Sequence, residues 1–491
     1  MNTSKLSAVV RNPVIAAIAI AFGLIGLPGP ASAGAQPLET GISGMGEHSP
    51  AAFSQVAATG AHFVRISAPW QDVAPKTKPD SWDPSNPADP HYNWDFLDEE
   101  IIDTVKAGFT PLLLVEGAPT WAQGCTSPSG LQYVEVCDPS ATALAEFATA
   151  AARRYSGNFQ NLPRVRYWQG LNEPNLTLFF FPQFSADGKP LSASLYRPLI
   201  NGFYAAVKSV DPSNLVVMAG LGPIAIRGYT VGPMQFTREL LCMRGSKNPK
   251  PIKGQCDGGV HFDIFDIHPY TTGGPTHTGG PNDVELGDMG KLQRLIVAAD
   301  RAGHIQGSVA HTQIWVAEFS WDSRPPDPGG LPMKIETRWI AEAMHVSWLA
   351  GVSNFFWYSL RDDPRDSSLT FSQTHESGLY FRGATVAQDR PKPAMQAFRF
   401  PFVAYAGKKG LSFWGRTPTS RRGKVVILEL RKGKWKKAGT AKASKFGIFR
   451  GTIHSSYGAD KKGAVKAIFA HHKSPAFAMK PVPDFFQKPF G

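Results

Sequence analysis

The chain has 491 residues, 42% of them hydrophobic and 18% charged, which excludes a disordered or low-complexity protein and leaves room for one large domain with a small one, or for three of average size. Charge is unevenly placed. Residues 401–491 hold 20 Lys and Arg against 3 Asp and Glu, a balance of +17 within a formal total of +12, so the rest of the chain stands at −5. A step of that size predicts a domain boundary near residue 400.

At the N-terminus, Lys5 and Arg11 lie before or at the start of the apolar run VIAAIAIAFGLIGL, and the small-residue site ASA ends at Ala33. This order is that of a secretory signal, residues 1–33, with cleavage expected before Gly34. A retained anchor is the alternative, but the run falls short of the ~20 residues that a span needs. No other stretch is apolar for long enough, so no integral membrane span is expected after signal removal. The four cysteines fall as two local pairs, Cys125 with Cys137 and Cys242 with Cys256, without CxxC or zinc spacing. In an exported protein the simplest reading is two loop-closing disulfides; buried free thiols are the other.

From 39 to 360, eight short β-branched or aromatic runs alternate with longer amphipathic ones. The runs begin ETGIS at 39, HFVRISA at 62, TPLLLVEG at 110, RVRYWQGLN at 164, NLVVMAGLG at 214, FDIFDIHPY at 262, QIWVAEFSW at 313 and VSNFFWYSL at 352. Helical periodicity marks segments such as 92–108, 141–155, 194–210, 290–303 and 335–351. Eight such alternations predict a (β/α)8 TIM barrel over 36–402. A doubly wound sheet is the competitor, weakened because GISGMG lacks the G-x-G-x-x-G spacing. Beyond PKPAMQAFRF the pattern shifts to short alternating strands split by Gly and Lys turns, which predicts a small basic β-sandwich over 403–491. Such a domain is suited to weak association with acidic envelope polymers; a solvated surface is the plainer reading.

In a barrel, the residues that end the strands face the mouth. The fourth run ends in Asn172 and Glu173, fixed by Pro174, and the seventh carries Glu318. The second contributes Arg65, the third Glu116, the sixth His268 and Tyr270, and the eighth Trp357, while Trp121 follows the third. Two carboxyls flanking an anomeric carbon are what glycosidic cleavage requires: one protonates the departing oxygen and the other attacks from the opposite face. A charged Glu318 is expected to raise the pKa of Glu173 and keep it a proton donor.

The motifs GLNEPN, DIHPY and WVAEFSW resemble those of the retaining glycoside hydrolases of clan A, which include the family 5 cellulase-like and family 39 xylosidase-like enzymes. The resemblance covers most of residues 40–400. It implies that Glu173 is the acid/base and Glu318 the nucleophile. It further implies that Asn172 bonds the sugar 2-hydroxyl, that Arg65 and Tyr270 orient the nucleophile, that His268 lines the same wall, and that Trp357 is the platform under the ring. Trp121 is a further candidate sugar contact, and Glu116 a partner behind the site. A carbohydrate substrate is therefore expected.

No nucleic-acid motif, H-E-x-x-H, P-loop or G-x-S-x-G occurs, and the 13 histidines show no metal-ligand spacing. No nucleic-acid partner, metal or cofactor is expected. Two other functions use the same residues: a non-catalytic glycan-binding barrel, and a transglycosylase with the same carboxylate pair. Long insertions follow the third, fourth, sixth and eighth runs and would either close a pocket for a terminal sugar or wall a cleft for internal attack.

Overall fold

The computed structural model describes residues 36–126, 134–256, 258–366, 368–407, 410–455, 463–482 and 485–486; the expected signal, 1–33, lies outside them. Eight parallel strands close into a barrel in chain order: β1 Glu39–Ser43, β2 Phe63–Pro69, β3 Thr110–Glu116, β4 Tyr167–Gly170, β5 Leu215–Met218, β6 Ile264–Asp266, β7 Gln313–Val316 and β8 Val352–Tyr358. The ring is completed by β8 pairing β1, with Glu39 opposite Asn354 and Ser43 opposite Tyr358. Among the described residues, eight helices of seven residues or more lie between and after the strands: α1 Pro50–Thr59, α2 Asp95–Lys106, α3 Ala141–Arg154, α4 Ser192–Val210, α5 Pro233–Leu240, α6 Met289–Arg301, α7 Met333–Leu349 and α8 Pro393–Arg399. This is the expected (β/α)8 fold.

Strand alternation divides the side chains into two layers. One parity faces the helices and merges with them into the main core, as Val64 and Ile66 of β2 and Phe355 and Trp357 of β8 do. The other parity fills the barrel. There Phe63, Tyr167, Trp315 and Phe356 form an aromatic plug, with Phe63 ring centroids 5.2 Å from Tyr167 and 5.4 Å from Trp315. Gly41 makes room for this plug, since a Cβ there would fall 2.3 Å from the Phe356 ring. Further along each strand the inward residues turn polar: Arg65, Gln169 and Asp266 continue the series begun by Phe63, Tyr167 and Ile264. A packed apolar floor thus carries a polar layer toward the C-terminal mouth.

Helices α1 and α5 lie beyond the sequence expectation. Both are short and begin on proline; α1 is capped by Ser49, whose side chain accepts from Ala52 N. No helix among the described residues is long and apolar enough to cross a membrane. Both expected disulfides are formed, with Cα–Cα distances of 5.3 Å for Cys125–Cys137 and 5.9 Å for Cys242–Cys256.

After α8 the described residues build only antiparallel sheet. Strands β9 Phe402–Gly407, β10 Gly410–Arg416 and β13 Ile448–Ile453 form one sheet in the order β9–β10–β13. Strands β11 Gly423–Arg431, β12 Lys434–Ala443, β14 Ala464–Phe469, β15 His472–Lys473 and β16 Phe477–Ala478 form the second, in which β11 is flanked by β12 and β14. The first sheet rests on the barrel. Trp414 packs on Trp348 of α7 at 5.8 Å, and the fully buried Arg416 donates from Nη2 to Thr40 Oγ1 at 3.1 Å.

Candidate active site

The backbone leaves β4 by an abrupt change of direction. Leu171 and Glu173 both take left-handed conformations, with φ of 67° and 36°, a region that costs a non-glycine residue free energy unless neighbours hold it. They do hold it. Leu171 N donates to Val115 O at 2.7 Å, Glu173 N to Gly220 O at 3.0 Å, and Leu176 N to Glu173 O at 2.9 Å. This turn delivers Asn172 and Glu173 side by side to the mouth, with Pro174 unable to donate a competing bond.

Arg65 organises the opposite side. Its Nη1 donates to Glu318 Oε2 at 2.9 Å, its Nη2 to Asn172 Oδ1 at 2.9 Å and its Nε to Gln169 Oε1 at 3.0 Å. Gln169 is fully buried and donates to Asp266 Oδ2 at 2.6 Å. Asp266 Oδ1 in turn accepts from Ala317 N at 2.8 Å, the residue before Glu318. The other oxygen of Glu318 accepts from the Tyr270 hydroxyl at 2.8 Å. A continuous network therefore fixes Glu318 from both of its oxygens.

His268 stands between the two glutamates. Its Nδ1 is 2.8 Å from Glu173 Oε1 and 3.9 Å from Glu318 Oε2, and its Nε2 is 3.4 Å from Asp266 Oδ2. Those carboxylate oxygens thus stand no farther apart than the first two distances laid end to end. That limit admits the ~5–5.5 Å carboxyl separation of retaining glycosidases.

The environment drives the two carboxyls in opposite directions. Burial raises the Glu173 carboxyl above the usual carboxylate range, and the Glu318 charge adds to the rise against the pull of His268. Burial also pushes Glu318 upward, but the charges of His268 and Arg65 and the bonds from Tyr270 and Arg65 outweigh it, so its net shift is downward. For His268, burial opposes the charged ring, yet Glu318, Asp266 and Glu173 outweigh that and push its pKa up to about 10. The Tyr270 hydroxyl is driven well above its ordinary value by burial and by Glu318, so it remains a donor. An acid with a raised pKa faces a carboxylate with a lowered one.

A cleft of about 930 Å³ opens from Glu318 toward the loop 44–50 and the face of α2, lined among others by Arg65, Ser67, Glu116, Asn172 and Tyr358. Arg65, Asn172, Glu173, His268, Tyr270 and Glu318 converge as a group. His268 and Tyr270 are buried behind the carboxyls, at 0% and 2% exposure, and act on them instead of forming an open wall. Glu116 lines the cleft, bonded by the Ser67 hydroxyl, and burial raises its pKa.

One expected sugar contact is corrected, and another stands outside this cleft. Trp357 is fully buried, donates from Nε1 to Ser377 O at 2.7 Å and packs against Phe319 and Phe398. It belongs to the helix-facing parity of β8, whereas Tyr358 has the parity of Phe356 and lines the cleft. Trp121 donates from Nε1 to Pro75 O at 2.8 Å and lies edge-on to Trp82 at 5.1 Å and Trp70 at 6.0 Å, outside the described cleft lining. Gln169 and Asp266 were not singled out from sequence, although a polar residue on each inward parity was the available signal. No group of three or more His, Cys, Asp or Glu able to hold a metal ion occurs among the described residues.

No family model and no curated protein matches the sequence. In structure the chain is similar to a glucosidase from Croceicoccus marinus, with 12% identity and a TM-score of 0.47 over 88% of this chain and 95% of that one. It is also similar to a GH30 endoxylanase from Clostridium papyrosolvens, with 11% identity and a TM-score of 0.45 over 86% of this chain and 94% of that one. A β-glucuronidase from Bacteroides uniformis is matched at 13% identity and a TM-score of 0.40, over 86% of this chain but only 42% of the longer enzyme.

Proposed function

We propose that the protein is an exported, retaining O-glycosidase of the clan A type, acting on a carbohydrate by double displacement with residues 36–402 as the catalytic unit. The observation that carries this reading is the opposed pair Glu173 and Glu318, set around one imidazole and shifted apart in acidity. Glu318, held as carboxylate by Arg65 and Tyr270, attacks the anomeric carbon and forms the C–O bond of a glycosyl ester. Glu173 gives its proton to the departing oxygen as the glycosidic bond breaks.

Esterification removes the Glu318 charge that helped raise the pKa of Glu173. Glu173, its pKa now lowered, stays ionised after giving up its proton and can act as base: it takes a proton from water, and the resulting hydroxide equivalent displaces Glu318 from the same face the leaving group had occupied. Two inversions give net retention. Asn172 Oδ1 is occupied by Arg65, which turns the amide Nδ2 toward donation to a sugar 2-hydroxyl. The two formed disulfides support export, because such bonds persist in oxidising compartments.

The test is a panel of aryl glycosides and polysaccharides with mass-resolved products, followed by azide rescue of Glu318→Gly on the best substrate. Azide enters from the face vacated by the carboxylate, so the expected product is a glycosyl azide of inverted configuration. Near-native activity of Glu318→Gly without azide overturns the assignment.

A further inference from the structure

The second sheet of the C-terminal segment has a well-defined outer face. On β11, Val425, Ile427 and Glu429 are buried inward, so Lys424, Val426, Leu428 and Leu430 point outward. Directly opposed residues share a face in antiparallel sheet. On β12 this places Lys442 against Lys424, Lys437 against Leu428 and Trp435 against Leu430. On the other side it places Lys466 of β14 against Leu428, and Lys473 of β15 against Ile468. An apolar strip with one tryptophan is thus bordered by lysines on both flanks.

These charges are arranged at a cost. Lys424 and Lys442 are like charges directly across from one another, an arrangement that destabilises a sheet. Lys466 places its ammonium 3.9 Å from the centre of the Trp435 ring, a cation–π contact. Partial burial and the charge of Lys473 lower the pKa of Lys466. None of the lysines on this face forms an ion pair with a carboxylate among the described residues. Between Lys424 and Lys442 lies a shallow hollow of about 410 Å³, lined also by Gly423, Thr440 and Ala441.

We propose that this face binds an acidic polysaccharide, a linear glycan bearing carboxylates, with one carboxylate drawn to the Lys466 ammonium that Trp435 holds over its ring and others drawn to the Lys424–Lys442 pair. Charge complementarity selects the occupant: an anionic chain relieves the like-charge contacts, and the apolar strip of Val426, Leu428 and Leu430 accepts the C–H faces of sugars. The strand spacing of ~4.8 Å gives a face some 15 Å wide from β12 to β15, room for a chain of sugars to lie flat. The site is separate from the cleft, so it would hold the protein on one polymer while the barrel works on its substrate. Its occupancy is read without turnover and is independent of the glycosidase assignment.

The test is native affinity electrophoresis of the full-length protein in gels containing polygalacturonate, with dextran as the neutral control. Retardation is expected with polygalacturonate alone, falling with added salt. Trp435→Ala and the double variant Lys424→Glu/Lys442→Glu are each expected to weaken it about tenfold or more. Lys424→Arg/Lys442→Arg should bind as the parent does, and unchanged thermal melting of every variant excludes misfolding. Equal retardation of parent and charge-reversal variants overturns the proposal and reduces the lysines to guards of an edge strand. Tighter, Trp435-dependent binding to single-stranded DNA or to phosphatidylglycerol vesicles overturns it in favour of another polyanion.

Discussion

Gly220 clears the space that His268 occupies: a Cβ on Gly220 would stand 2.1 Å from His268 Nε2. The ring so admitted sits 2.8 Å from Glu173 and 3.9 Å from Glu318, and its charge favours the ionised form of both carboxyls. A methyl group in β5 territory therefore reaches the reacting groups through one imidazole. Gly220→Ala is expected to lower kcat by about 10²-fold, the effect of a small misplacement in a preorganised site. It should also move both limbs of the pH–rate profile upward, because the carboxyls lose a stabilising cation. Loss of kcat with unmoved limbs contradicts this role for His268.

For the unaltered protein, kcat/KM should trace a bell. Its acid limb reports Glu318 losing its proton below the usual value of 4.5, and its alkaline limb reports Glu173 losing its proton above 4.5. Glu173→Gln should abolish the alkaline limb and leave the acid one. It should also slow substrates with poor leaving groups far more than activated aryl glycosides. Equal losses on both classes would rule out an acid role.

Arg65→Lys keeps a positive charge and loses the fork that reaches Gln169, Asn172 and Glu318 together. The expected result is a fall in kcat of about 10²-fold. An acid limb displaced to higher pH should accompany it, because the pull that lowers the Glu318 pKa weakens. Steady-state kinetics across pH checks both.

Stability has its own pH dependence. Glu336 on α7 is fully buried, and neither carboxyl oxygen has a hydrogen-bond partner among the described residues. Burial, with Asp362 and Asp322 adding to it against Lys392, pushes its pKa up to about 8. Between 4.5 and 8 the folded chain holds a proton that the unfolded chain has released, so stability is full below 4.5 and is lost as pH rises through 8. Glu336→Gln should flatten the decline of Tm over that window and recover ~5 kcal/mol at its upper end. A Tm that climbs with pH in both proteins would refute this.

The opposed carboxyl pair was readable because a carboxyl ending a strand of a (β/α)8 barrel has one place to go, and the strands themselves were marked by β-branched and aromatic runs. Parity was the harder part. Trp357 and Tyr358 are neighbours in sequence, and an aromatic side chain at either position satisfies the composition of a strand end. Only the register with β1, where Ser43 meets Tyr358, decides which of the two faces the cleft. Gln169 and Asp266 escaped notice for a related reason: each sits within or beside an apolar run, and their pairing spans 97 residues of sequence. Trp121 follows β3 closely, but its orientation is set by Trp70, Trp82 and the Pro75 carbonyl, contacts from an excursion that periodicity does not encode.

The guanidinium of Arg416 comes from the appended sheets yet lies wholly inside, against Thr40 in the first strand of the barrel. Cutting the chain after α8 would therefore remove that bond to the first strand and strip bare the apolar surface of α7 beneath Trp414. The two halves are expected to melt in a single transition, and a truncated barrel to aggregate where the intact chain stays dispersed. A polymer held by the tail as proposed would be coupled to the barrel through a packed interface and not a tether.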